Sequence, residues 1–133
     1  MIQPLQNIDL SKYKVLVVDD VPLNQLVVEK MLVKFGMKIT KASNGLDALE
    51  KLRTEIPNLV LLDLMMPVMD GFDFLHIARS KPELASLKII ILSALNSTED
   101  IVRGYEAGAN DFITKPIIYE KLISSIANQL RLV

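Results

Sequence analysis

Residues 14–25 read KVLVVDDVPLNQ, and this stretch decides the fold. Val15, Leu16, Val17 and Val18 follow one another with no polar residue between them. A strand with one solvated face alternates apolar and polar residues. An unbroken β-branched run suits a strand buried on both faces of a parallel sheet. The run ends in Asp19-Asp20, and a helical stretch, apolar on more than one side, follows from about Pro22 to Phe35, where Gly36 stops it.

The same unit recurs along the chain. Strands are predicted at 15–19, 38–42, 59–63, 88–92 and 111–114. Between them lie segments of helical period. Asn44-Gly45 precedes Leu46, Ala48, Leu49 and Leu52, and Asp70-Gly71 precedes Phe74, Leu75 and Ala78. Ser97, with Asp100 three residues on, reads as the N-cap of a helix carrying Ile101, Val102 and Tyr105 and stopping at Gly108. Leu122, Ile126 and Leu130 line the last helix. Five strand–helix units in alternation predict an α/β fold, a five-stranded parallel sheet doubly wound as (βα)5. One domain, 1–133 with its core at about 14–130, takes up the chain, which leaves no room for a DNA-binding effector domain.

Composition narrows the function. Half of the 133 residues are apolar and 23% are charged, so the chain is not of the disordered class. Lys and Arg number 15 against 16 acids, a net charge of -1. No cationic excess exists to neutralise phosphates, so direct nucleic-acid binding is not expected. The absence of Cys excludes disulfide scaffolds and thiolate metal sites. Apolar runs stop at about four residues, where a membrane span needs about 18. The first fourteen residues carry no apolar signal core. A cytoplasmic protein with no membrane partner is expected.

In a parallel sheet all carboxyl ends share one edge, where ligands bind. Strand one ends in Asp19-Asp20, strand three in Asp63, strand four in Ser93-Ala94 and strand five in Lys115-Pro116. Two carboxylates about 4 Å apart repel by about 4 kcal/mol at an effective dielectric of 20. A divalent cation with oxygen ligands offsets that charge. Mg²⁺ suits one or two carboxylates, retained waters and phosphate oxygens. A carboxylate beside Mg²⁺, a Lys and a hydroxyl is arranged for phosphoryl transfer onto that carboxylate.

VLVVDD at 15–20, LLDLMMPVMDG at 61–71, IILSA at 90–94 and GANDFITKP at 108–116 together resemble the receiver (response regulator) domain of two-component signalling. The resemblance covers about residues 14–130. It implies a flavodoxin-like strand order, 2-1-3-4-5. It implies that Asp63 is the phosphoacceptor, taking a phosphoryl group from the phosphohistidine of a sensor histidine kinase or phosphotransfer protein. Asp19, Asp20, Asp63 and the backbone carbonyl of Met65 would hold Mg²⁺, for which Mn²⁺ would substitute. Ser93 would be the switch hydroxyl, Lys115 the phosphate contact and Phe112 the aromatic that changes rotamer. The family's Lys-Pro bond, here Lys115-Pro116, is commonly cis. Output would run through helix 4, strand 5 and helix 5 to an effector protein or fused domain. No catalysis is implied beyond the domain's own phosphorylation and slow dephosphorylation, since Met65 and Leu95, which flank the approach of water in the family, are both apolar here. Pro22-Leu23-Asn24 resembles receivers of hybrid kinases and phosphorelays, so the chain is expected either as a single-domain regulator or as a receiver cut from a longer protein.

Other readings fit less well. A phosphatase of the haloacid dehalogenase type resembles D-x-D-x-T after its first strand, and 19–22 read Asp-Asp-Val-Pro. A flavin carrier needs a phosphate-binding loop where the two acids stand. A degenerate receiver would lack part of the acid triad, Ser93 or Lys115. Asp70-Gly71 reads as the turn that starts a helix, His76 as a surface or packing residue, and Met65, Met66 and Met69 as loop packing.

Overall fold

The structure, a computed structural model, describes residues 8–132. Its strands are β1 (Lys14–Val18), β2 (Lys38–Ala42), β3 (Leu59–Leu62), β4 (Lys88–Ser93) and β5 (Asp111–Thr114). Its helices are α1 (Pro22–Leu32), α2 (Gly45–Thr54), α3 (Gly71–Ser80), α4 (Thr98–Glu106) and α5 (Tyr119–Gln129). All strand pairs are parallel and their order is β2-β1-β3-β4-β5, as expected.

Side chains of successive residues leave the sheet on opposite faces, so each strand feeds two cores. Leu16, Val18, Val60, Leu62, Ile89 and Ile91 pack with residues of α2 and α3 and with Ala107 just beyond α4. Val15, Val17, Leu59, Leu61, Ile90 and Leu92 pack with residues of α1 and α5. The aliphatic runs of β1, β3 and β4 are thereby buried on both faces, which is why they do not alternate.

Two local expectations need correcting. β2 is not buried on both faces: Lys38 and Thr40 are exposed and only Ala42 is fully covered. It is an edge strand, and its lysines discourage pairing with a further strand. The helix expected to run unbroken to Phe35 tightens into a 3-10 turn at Val33–Phe35 before left-handed Gly36. In α4 Val102 and Tyr105 are nearly half exposed, and Gly104 is the residue that is buried. The three helix starts read from side-chain caps hold. Asn44, Asp70 and Ser97 accept from the backbone N–H groups of Asp47, Asp73 and Asp100. Among the described residues no helix is long and apolar enough to cross a membrane.

Candidate functional site

The parallel ladder continues one residue past two strands, and this builds the site. Asp19 N–H donates to the Ala42 carbonyl at 3.0 Å, and Asp63 N–H donates to the Val18 carbonyl at 2.9 Å. Both acids, counted above within their strands, stand just beyond the ends of the neighbouring strands β1 and β3. α3 then starts directly against this backbone. A Cβ on Gly71 would lie 2.5 Å from the Asp63 carbonyl oxygen, so only glycine lets the helix approach so closely. Gly71 N–H donates to the Leu64 carbonyl at 2.9 Å, tying the helix start to the segment after β3.

One carboxylate oxygen from each of Asp19, Asp20 and Asp63 lies within 4.8 Å of the others. Asp19 and Asp63 are buried, 6% and 8% exposed, and Asp20 is the more open. Lys115 Nζ lies 3.3 Å from Asp19 Oδ2 and 3.8 Å from Asp63 Oδ2. Asp19 Oδ1 accepts from Val21 N–H at 2.9 Å, and Asp63 Oδ1 accepts from Met65 N–H at 3.3 Å. Burial pushes the Asp63 carboxyl above its ordinary value; the Lys115 ammonium pulls against that, and the Asp19 charge adds to it. Three acids facing one ammonium leave net negative charge in a partly dry cleft. Hard oxygen donors in that arrangement fit Mg²⁺.

Ser93 is fully buried at the end of β4, with its Oγ accepting from Leu95 N–H at 3.2 Å. Its carbonyl accepts from Lys115 N–H at 2.8 Å, so the backbone joins the hydroxyl strand to the lysine. No hydrogen bond links Ser93 to the acid cluster among the described residues. Phe112 pairs with Ile91 in register and packs partly buried against α4, away from the acids. The Lys115-Pro116 bond is cis. The sequence-predicted residues thus fall into two groups: Asp19, Asp20, Asp63 and Lys115 meet, with Met65 joined to them through its N–H, while Ser93 and Phe112 stand on the side that leads to α4.

A family model described as "Response regulator receiver domain" matches residues 15–127, a span that includes every residue of this cluster. The chain belongs to the receiver domain family. Over 127 residues this receiver domain is 36% identical to the probable transcriptional regulatory protein TcrX of Mycobacterium tuberculosis, a match covering 96% of the chain and 53% of the relative. The chain spans about half or less of the length of the curated relatives it matches. Among solved structures it is similar to the signal receiver domain of a signal transduction histidine kinase from Syntrophus aciditrophicus. The TM-score is 0.84 at 32% identity, covering 91% of this chain and 92% of that one. It is also similar to the receiver domain of a sensor histidine kinase from Pseudomonas aeruginosa, whose structure has a magnesium ion coordinated in the active site cleft. There the TM-score is 0.83 at 28% identity, with 90% and 98% covered.

Several residues that shape this receiver domain carried no sequence signal. Gln25 Nε2 donates to the carbonyls of Asp19, at 2.7 Å, and Ala42, at 3.0 Å. Arg79 of α3 donates to the carbonyls of Gly108 and Leu84, each at 2.9 Å, and to Asn110 Oδ1 at 3.0 Å. Asp111 gathers three elements: its carboxylate accepts from Tyr105 of α4 at 3.1 Å, from Ser125 of α5, and from Phe112 N–H at 2.8 Å. A glutamine, an arginine and a serine at half-polar helix positions look like solvated residues until the fold supplies their acceptors.

Proposed function

We propose that this receiver domain accepts a phosphoryl group on Asp63 from a phosphohistidine and relays that event to a partner or attached effector. The observation that carries this reading is a buried carboxylate at the floor of a three-acid cluster, with an ammonium 3.8 Å away. Asp63 supplies the attacking oxygen. A P–O bond forms to its carboxylate as the P–N bond to the donor imidazole breaks, and the imidazole takes up a proton. Asp19, Asp20, Asp63 and the Met65 carbonyl are the residues that would hold Mg²⁺ or Mn²⁺. Bound there, the cation supplies positive charge against the carboxylates and the phosphoryl oxygens. Lys115 contributes one further charge and a hydrogen-bond donor to the transferred group.

Ser93 donates its hydroxyl to a phosphoryl oxygen in this reading and gives up Leu95 N–H as it does so. Phe112 then follows into the space released, and the face of α4, β5 and α5 changes packing. Met65, 58% exposed, and half-buried Leu95 offer no group to orient water, so the acyl phosphate is lost slowly. The domain is then a switch, not an enzyme acting on other substrates. Its donor is a sensor histidine kinase or phosphotransfer protein in the cytoplasm. With a net charge of -1, the domain itself does not contact nucleic acid.

Incubation with acetyl phosphate and Mg²⁺, followed by intact mass, tests the reading. One phosphoryl adduct is expected, absent in Asp63→Asn and in EDTA. An adduct of equal yield in Asp63→Asn would refute it.

A further inference from the structure

Asp19, Asp20 and Asp63 are held in place by very different means. Asp63 has its backbone in the ladder, one oxygen on Met65 N–H and the other facing Lys115. Asp19 has its backbone in the ladder, one oxygen on Val21 N–H and the other on Lys115. For the Asp20 carboxylate no donor is seen among the described residues. Its position depends on the two peptides that flank it: Val21 N–H on Asp19 Oδ1 holds the second, and the first is the one that joins it to Asp19.

That peptide is gripped from α1. Gln25 stands in the first turns of the helix, half-buried, and its amide nitrogen bridges the Asp19 and Ala42 carbonyls at 2.7 and 3.0 Å. The Ala42 carbonyl also accepts Asp19 N–H. Gln25 therefore acts as one more rung after β1 and β2 have ended, made by a side chain where the backbone can make none. The Asp19 carbonyl belongs to the Asp19–Asp20 peptide plane. Rotation about ψ of Asp19 would break the 2.7 Å bond and swing the Asp20 Cα and its carboxylate.

We propose that Gln25 is the positioning residue for Asp20, fixing the Asp19–Asp20 peptide so that the Asp20 carboxylate faces the cation site. The inference rests on the Mg²⁺ reading above and extends it to a residue that touches neither metal nor phosphate. Groups that orient a metal ligand typically change metal affinity by about 10- to 100-fold when removed.

The experiment is a Mg²⁺ titration followed by amide chemical shifts, with no phosphodonor, on wild type, Gln25→Ala, Gln25→Glu and Asp20→Asn. The two Gln25 substitutions are also combined with Asp20→Asn. Gln25→Ala leaves room for water on both carbonyls and keeps the fold. Gln25→Glu keeps the side chain's length but turns an oxygen on two carbonyl oxygens. Its added negative charge would by itself tighten cation binding, so a loss in this variant reports geometry. About tenfold weaker binding is expected in both. Once Asp20 is Asn, either Gln25 substitution should change the affinity less than about twofold, since residues acting through one another are not additive. Equal or tighter binding in Gln25→Glu overturns the proposal, as do losses that multiply with that of Asp20→Asn. Wild type that binds no Mg²⁺ overturns the underlying reading instead. Wild type that binds while Gln25→Ala binds equally well leaves that reading standing and removes Gln25 alone.

Discussion

Asp63→Asn should make the metal-free protein more stable at neutral pH. At an effective dielectric of 20, like-charged oxygens within 4.8 Å of one another repel by at least roughly 3.5 kcal/mol a pair, and Lys115 at 3.8 Å returns about 4.4. The repulsions thus offset the one attraction, and burial of the Asp63 carboxylate, the leading cause of its raised pKa, leaves a net penalty of about 1–2 kcal/mol. For a chain of this size that corresponds to a melting temperature about 3–8 °C higher. The sign of the pH dependence follows from the raised Asp63 pKa. Stability linked to this carboxyl is fully present below its ordinary 3.8 and is lost as pH rises through the higher folded value. The advantage of Asp63→Asn should therefore be complete at pH 7, shrink as pH falls through that value, and vanish below 3.8. Thermal unfolding by circular dichroism in EDTA, repeated with saturating Mg²⁺, reads both effects, and the metal should narrow the gap. An unchanged or lower melting temperature for Asp63→Asn in EDTA at pH 7 would refute the charge argument.

Val68 holds φ at 70° while 80% exposed, a left-handed backbone that a β-branched residue tolerates poorly. Val68→Asn should raise stability by about 1 kcal/mol, read as a higher urea midpoint. Gly104→Ala would bring a methyl within 2.8 Å of Ile91 and 2.9 Å of the Phe112 ring. It should cost about 1–2 kcal/mol despite alanine's better helix propensity, and move the amide shifts of β5; unmoved shifts there would show that the ring is free to yield. Tyr105→Phe removes the hydroxyl bound to Asp111 and should cost about 0.5–1 kcal/mol near neutrality. Burial, and next the Asp111 bond, raise the Tyr105 pKa, so that stability is present below its ordinary 10.0 and is lost as pH rises through the folded value. The gap to wild type should close in strong alkali, as pH-resolved denaturation will show.

The strands and the acid cluster were legible because each rests on a short local signal that the fold merely assembles; the strand order followed only from the family resemblance. Val15–Val18 and Leu59–Leu62 are buried on both faces, so their composition states their environment. Asp19, Asp20, Asp63 and Lys115 are ionisable residues placed directly after such runs, where charge needs a reason. What escaped notice depends on partners distant in sequence. Lys38-Ile39-Thr40-Lys41-Ala42 is polar at three of its five positions, but its edge position follows only from the pairing order. Ile101, Val102 and Tyr105 carry helical spacing, yet the residue that meets the sheet is Gly104, which has no side chain to show in a hydrophobic pattern. Gln25 and Arg79 work by donating to backbone carbonyls, and every residue has one of those, so no residue type marks the acceptor.

The attachment of α4 is one-sided. Arg103 lies 3.8 Å over the Phe72 ring, Gly104 seats against Ile91 and Phe112, Tyr105 bonds Asp111, and the Gly108 carbonyl is fastened to Arg79. All four restraints fall at 103–108. Among the described residues, the stretch from Thr98 to Val102 carries none of comparable strength, and it leads back through the β4–α4 connection to Ser93. Were α4 to tilt in the switch proposed above, Gly104 would be its fulcrum and Thr98–Val102 its free arm. Six residues of arm measure about 9 Å at 1.5 Å per residue. A tilt of about 10° then displaces Thr98 by roughly 1.5 Å, while Gly108 stays where Arg79 holds it.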